Sequence, residues 1–217
     1  MGRTMPPAKT TRCAAVGLVT ACGIWIGPAA SIGQNALLSC PTCHTAAPSD
    51  DDRIYPILNG QPAPYIARQL EAYREGLREH PQMQATAHAL GPEGAIRQAK
   101  TYGDMPRPAL QRSEDFQPVP DAERLVLDGD WSRGLPPCAS CHGAPASEPP
   151  LVEQGFAREA PYLHGQPENY LALTLEAYAE GARKSDPMGR MRAFAEQLTP
   201  AERGALAQYY SSWEIIE

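Results

Sequence analysis

The chain carries the pattern C-x-x-C-H twice, as Cys40-Pro41-Thr42-Cys43-His44 and as Cys138-Ala139-Ser140-Cys141-His142. This spacing is the attachment signature of c-type haem. Two thiols three residues apart can each bond one vinyl-derived carbon of a porphyrin. The histidine directly after the second thiol then lies under the iron as proximal ligand. A bare C-x-x-C pair would also suit a redox dithiol or half of a zinc site. The immediate histidine, present both times, belongs to neither pattern. The motifs therefore predict two covalently attached haems c, held by Cys40, Cys43, Cys138 and Cys141, with His44 and His142 on the irons.

The segments behind the motifs repeat as well. Pro56-Ile57-Leu58-Asn59-Gly60-Gln61-Pro62 is matched by Pro161-Tyr162-Leu163-His164-Gly165-Gln166-Pro167. Tyr65, Leu70, Tyr73, Glu75, Gly76 and Arg78 match Tyr170, Leu175, Tyr178, Glu180, Gly181 and Arg183 at an offset of 105. Met83, Ala87, Leu90, Pro92, Ala99 and Tyr102 match Met191, Ala195, Leu198, Pro200, Ala207 and Tyr210 at an offset of 108. One three-residue insertion thus separates Arg183 from Met191. Self-similarity on this scale marks a duplicated unit, here a tandem pair rather than a solenoid.

Residues 1–30 read as a targeting segment. Arg3, Lys9 and Arg12 form its positive region, Cys13 to Ala30 is uncharged and apolar, and small residues at Ala29, Ala30 and Ser31 allow cleavage. Two alternatives stand beside cleavage. The run 13–30 is just long enough for a retained membrane anchor, and Val19-Thr20-Ala21-Cys22 resembles a lipidation site. Export to the periplasm agrees with cysteine usage, since the other four of the six cysteines all lie in the two motifs. Beyond residue 30 the chain holds 16 basic and 25 acidic residues, net −9. Of this, −1 falls in 31–103 and −8 in 104–217. No basic footprint for nucleic acid is present. An acidic half can instead steer encounter with a basic protein surface.

The pattern predicts an all-α chain without strands. Residues 64–77 and 168–181 each carry an apolar helical face. Thr199-Pro200-Ala201-Glu202 opens a final helix running to about Trp213, and Gly91-Pro92 starts its first-half equivalent. A short helix from Asp121 to Asp128 precedes the second motif. Residues 103–120, with four prolines, read as a linker. The expected organisation is a leader at 1–30, a first domain at 31–102, the linker, and a second domain at 121–217. Units this small have thin cores, and a covalently held haem would supply an apolar body for short helices to wrap.

A six-coordinate electron-transfer haem needs a second axial ligand, and methionine with histidine raises the potential. Met83 is the first-half candidate. In the second half the Met-x-x-x-Ala-x-x-Leu pattern selects Met191, whereas counting from Arg183 selects Met188. His80 and His88 have no second-half counterparts and His164 stands where the first half has Asn59, so all three read as structural or surface residues. The carbonyls of Pro56 and Pro161 are candidates to accept a hydrogen bond from each proximal ring and fix its orientation.

These residues resemble the cytochrome c4 family of dihaem class I cytochromes. The resemblance rests on both C-x-x-C-H motifs, both Pro-x-Leu-x-Gly-Gln segments, both Glu-Ala-Tyr-x-Glu-Gly-x-Arg helices and the methionines, and covers about residues 37–213. It implies two tandem cytochrome c domains related by a pseudo-twofold axis, each iron with His/Met ligation. It further implies a single-electron carrier in the periplasm, between a membrane or periplasmic donor and a terminal oxidase or other acceptor. The alternative is a tightly bound cytochrome subunit of a dehydrogenase of the sulfide, thiosulfate or alcohol type. A dihaem peroxidase ranks below both, because two methionine-ligated irons leave no open position. The expected partners are redox proteins, with membrane association through residues 13–30 if the leader is retained.

Overall fold

The computed structural model describes residues 2, 40–45, 53–117, 119–143 and 159–216. The leader readings lie outside the described residues, as do residues 46–52 and 144–158. Apart from residue 2, the described residues belong to one compact unit, Ser31–Glu217.

The first half is built on α1 (Ala63–Arg74) and α2 (Pro81–Gly103), which pack against each other. Proline at the first turn starts each helix without wasting an N–H. Past Arg74 the chain turns out at Gly76, with φ of 70°, the left-handed exit that glycine makes cheaply. The predicted start at Gly91-Pro92 is a restart within a longer element. Gly91, at φ 63° and ψ 178°, breaks α2 and Pro92 begins its second section. Its first section opens at His80, whose Nδ1 accepts from the Met83 N–H at 3.4 Å.

The second half follows as α3 (Pro120–Leu127), α4 (Ala139–His142), α5 (Glu168–Ala179), α6 (Arg190–Gln197) and α7 (Pro200–Ser211). The start of α7 is the predicted capping box. Thr199 Oγ1 accepts from the Glu202 N–H at 3.2 Å, and Glu202 Oε2 accepts from the Thr199 N–H at 2.8 Å. Helices α3, α5 and α6 each pack on a neighbour of this half, α5 and α3 both meeting α7.

Each half has its own core. Ile66, Leu70, Tyr73, Ala87, Ala95, Ala99 and Tyr102 form the first. Leu125, Val126, Leu171, Leu206, Ala207, Tyr209 and Tyr210 lead the second. Matched positions are buried alike: Ala87 and Ala195 are both 0% exposed, and Tyr102 and Tyr210 are 4% and 3% exposed. Burying a leucine-sized side chain contributes about 1.5–3 kcal/mol, and each half draws that from its own short list of buried side chains.

The expectation of no strands is corrected. β1 (Ala109–Arg112) pairs antiparallel with β2 (Trp213–Ile216), register Ala109 to Ile216 and Arg112 to Trp213. β1 lies within 103–120, so the segment read as a linker is structured. It also runs over the two matched turn glycines. A Cβ on Gly60 would collide with Arg107, and one on Gly165 would lie 2.7 Å from Leu110 Cδ2. Both glycines have positive φ, 67° and 77°. Among the described residues no helix is long and apolar enough to cross a membrane.

Candidate functional site

Both C-x-x-C-H motifs fold as a single helical turn. Helical spacing puts residues three and four apart on one face, so the two thiols and the histidine of each motif point the same way. The second turn closes with hydrogen bonds from His142 N to Cys138 O at 3.0 Å and from Gly143 N to Ala139 O at 3.0 Å. The first is held from outside: Arg53 Nη2 donates to Cys43 O at 2.6 Å and to Thr45 O at 2.7 Å. All four thiols are free of disulfides. Burial raises the Cys40 thiol and pushes Cys138 up to about 11.

The two histidines are in matched settings. Each is 8% exposed. His44 Nδ1 lies 2.8 Å from Pro56 O, and His142 Nδ1 lies 2.8 Å from Pro161 O. A carbonyl can only accept, so Nδ1 carries the proton and Nε2 keeps its lone pair for a metal. Burial pushes both rings below the ordinary histidine range, against the opposing pull of the carbonyl. Both are therefore neutral at pH 7, the form that ligates.

Met83 is partly buried against the first core, which also takes in Cys40. Met191, in the first turn of α6, lines an apolar cavity together with Cys138, Cys141, His142, Leu171 and Phe194. Met188 is elsewhere. It is 79% exposed, at φ 58°, and its sulfur faces Arg190 Nη2 at 3.6 Å. The three-residue insertion forms a loop around it, pinned by buried Asp186, which accepts from Arg192 N at 3.1 Å and Arg192 Nε at 2.9 Å. His88 is exposed and His80 caps α2. His164 is buried against Tyr210 and Trp213, ring centroids 4.9 and 5.5 Å away, and burial, then Arg107 and His142, lower it to about 4.

The sequence reading passed over the groups that join the halves. Gln61 Nε2 donates to Tyr162 O at 2.8 Å, and Tyr162 N donates to Gln61 Oε1 at 2.9 Å. Gln166 does the same at Ile57: Nε2 to Ile57 O at 2.8 Å, and Ile57 N to Oε1 at 2.9 Å. Arg78 Nη2 donates to Tyr170 OH at 3.4 Å, and Arg183 Nη2 to Tyr65 OH at 3.2 Å. Each pair of contacts is related by the repeat, which makes the interface isologous. Burial opposes ionisation of Tyr170, but the guanidinia of Arg78 and Arg183 together outweigh it and hold its hydroxyl below the ordinary range. A signal was present: glutamine, arginine and tyrosine recur at matched positions that an apolar core does not require.

The cavity of the second motif, whose wall also takes in Ile57, Gln61 and Tyr65 of the first half, fits a covalently held haem. Its wall offers two thiols, a neutral imidazole and a thioether. Tyr210, whose buried hydroxyl has no hydrogen-bond partner among the described residues, also lines it. Arg183, 4% exposed and hydrogen-bonded to Ser185, Thr174, Tyr65 and Gln69, supplies positive charge on the same wall. That charge suits the carboxylate edge of a porphyrin.

No family model matches the chain. A thiosulfate dehydrogenase electron acceptor of Stutzerimonas stutzeri is 37% identical over 181 residues, 82% of this chain and 80% of that protein. A cytochrome c4 of Thiocapsa roseopersicina is 31% identical over 170 residues, 78% of this chain and 84% of that protein. Among solved structures, a thiosulfate dehydrogenase (TsdBA) from Marichromatium purpuratum superposes with TM-score 0.65 at 32% identity. The match covers 80% of this chain and 36% of that one. An Acidithiobacillus ferrooxidans cytochrome c4 superposes with TM-score 0.62 at 25% identity, covering 81% and 98%.

Proposed function

The chain belongs to the cytochrome c4 family of dihaem electron-transfer cytochromes, and from that premise we propose that it takes electrons one at a time from a thiosulfate-oxidising dehydrogenase in the periplasm and passes them to a terminal oxidase or another acceptor. The observation that carries the reading is structural: one unit contains two equivalent motif turns, each with a neutral histidine whose Nδ1 is committed to a carbonyl. The name of the Stutzerimonas stutzeri relative supports the choice of donor.

Bound haem supplies reversible one-electron exchange at its iron. Cys40 and Cys43 would hold one group by thioether bonds, and Cys138 and Cys141 the other. His44 and His142 would ligate the irons through Nε2, and Met83 and Met191 would each supply a thioether sulfur as the second protein ligand. Met191 is chosen over Met188 because it lines the cavity of Cys138 and His142, while Met188 is turned to solvent. The carbonyls of Pro56 and Pro161 orient the proximal rings, and Arg183 balances carboxylate charge. We assign residues 31–102 and 121–217 to the two domains. The chain itself carries electrons and makes or breaks no substrate bond.

A test mixes the purified chain with thiosulfate, with and without the dehydrogenase, and follows haem reduction by absorbance. Rapid reduction only when dehydrogenase and thiosulfate are both present is expected. No acceleration by the dehydrogenase would overturn the choice of donor. The second reading, a tightly bound subunit, draws on the TsdBA chain, of which this one spans 36%. Size-exclusion chromatography of the mixture separates the two, since a carrier elutes alone and a subunit elutes with the dehydrogenase.

A further inference from the structure

The contacts of Gln61 and Gln166 do more than join the halves. The peptide between Pro56 and Ile57 has two hydrogen-bonding ends. Its C=O accepts from His44 Nδ1 at 2.8 Å, and its N–H donates to Gln166 Oε1 at 2.9 Å. The peptide between Pro161 and Tyr162 is used in the same way. Its C=O accepts from His142 Nδ1 at 2.8 Å, and its N–H donates to Gln61 Oε1 at 2.9 Å. Each proximal ring is thus linked, through one conjugated peptide group, to a glutamine of the opposite half. Both glutamines are 5% exposed, so water does not compete for these bonds.

Amide resonance couples the two ends of a peptide. A peptide whose N–H is donating carries more negative charge on its oxygen, and chains of hydrogen bonds reinforce one another in a low-dielectric interior. A stronger acceptor draws the Nδ1 proton further from the ring and raises the basicity of the ligating nitrogen. A more basic ligand favours ferric iron and lowers the potential.

We propose that the two glutamines are crossed positioning residues: Gln166 of the second half sets the donor strength of His44, and Gln61 of the first half sets that of His142. The inference rests on the ligand assignment above. It makes each haem's potential a property of both halves, without a ligand crossing the interface. Both glutamines line the cavity of the second motif, so a clamping or packing role alone would act on the second haem and would not shift the first when Gln166 is changed.

The test uses the full dihaem protein and the near-isosteric substitutions Gln166→Met and Gln61→Met, with redox titration followed by NMR to resolve the two haems. Gln166→Met is expected to raise the potential of the first haem and leave the second in place; Gln61→Met is expected to do the reverse. The anticipated change in the ferric-to-ferrous ratio is about threefold, which at about 59 mV per tenfold for a one-electron couple is about 28 mV. The Nδ1–H resonance of the affected histidine should move upfield in the ferrous protein, reporting a weaker hydrogen bond. Gln166→Glu keeps an oxygen facing the Ile57 N–H and should not raise the first potential, which preserves the test if the methionine variant does not fold. A shift at the haem of the same half, an equal shift at both, or no shift would each overturn the proposal. Failure of the ligand assignment is separable, because wild-type ferrous protein would then show no haem-shifted Nδ1–H signal from His44 or His142.

Discussion

Arg78 and Arg183 donate to the same atom. Their guanidinia approach Gln69 Oε1 at 3.0 and 2.7 Å, one from each half, and Ser185 Oγ adds a third bond at 2.9 Å. Arg183 also donates to Thr174 Oγ1 at 3.2 Å, the position matching Gln69 in the repeat. The interface is therefore twofold in plan but closes on one off-axis acceptor.

Gln69→Leu should destabilise the folded unit by about 2–3 kcal/mol, since two cations lose an acceptor inside a buried contact and the penalty for an unsatisfied charged group is of that order. Denaturant unfolding of the holoprotein checks this. Thr174→Val, which removes only one of the bonds made by Arg183, should cost less than half as much.

Met191→Ala should abolish the sulfur-to-iron absorption of the second haem and lower its potential, because a soft neutral ligand that favours ferrous iron is lost. Met188→Leu should leave both haems unchanged, since this side chain faces solvent and touches Arg190. Visible spectra and potentiometry read both outcomes. The reverse pattern would make Met188 the ligand.

Stability should fall as the pH drops from about 4.5 towards 2. Hydrogen bonds from Arg133 hold the Glu202 carboxyl at about 2 when folded, below its ordinary 4.5. A depressed folded pKa contributes stability above the unfolded pKa and loses it as the pH falls through the folded one. Arg133 Nη2 donates to Glu202 Oε1 at 2.7 Å and Nη1 to Oε2 at 3.0 Å, the two-pronged geometry that makes such pairs strong. Arg133→Met should flatten the profile of unfolding midpoint against pH in this window.

Gly60→Ala should cost more than Gly165→Ala, although the two are matched positions with similar φ. A methyl at Gly60 meets the Arg107 backbone nitrogen at 2.9 Å, whereas the nearest atom to one at Gly165 is the Leu110 side chain at 2.7 Å. A backbone cannot step aside, while a leucine tip can. Both variants also carry the positive-φ penalty of about 1 kcal/mol. Thermal unfolding of the pair ranks them.

The parts of this molecule that were legible in its sequence are those that local chemistry dictates. The motif turns need thiol, thiol and histidine at fixed spacing, and the Thr199–Glu202 cap needs its two side chains three residues apart. The β ribbon was not legible. Ala109–Arg112 and Trp213–Ile216 are four residues each, too short to show alternation, and their partners lie about a hundred residues away. The glutamine contacts were hidden for another reason: their partners are backbone atoms of residues 57 and 162, which leave no mark on side-chain pattern. The insertion could be counted but not placed. Only the fold shows that it brings Lys184 N to within 2.7 Å of Leu77 O and sets Ser185 beside Gln69.

The ribbon between residues 109–112 and 213–216 has a topological result. It fastens the tail of the chain to the strap that leaves the first half, so the whole second half lies inside a loop closed by backbone hydrogen bonds. Proteins with twofold-like internal repeats can trade halves between molecules, giving intertwined dimers. Here the ribbon would travel with the second half, and such a trade would have to lift the strap from Gly60, where Arg107 lies against it.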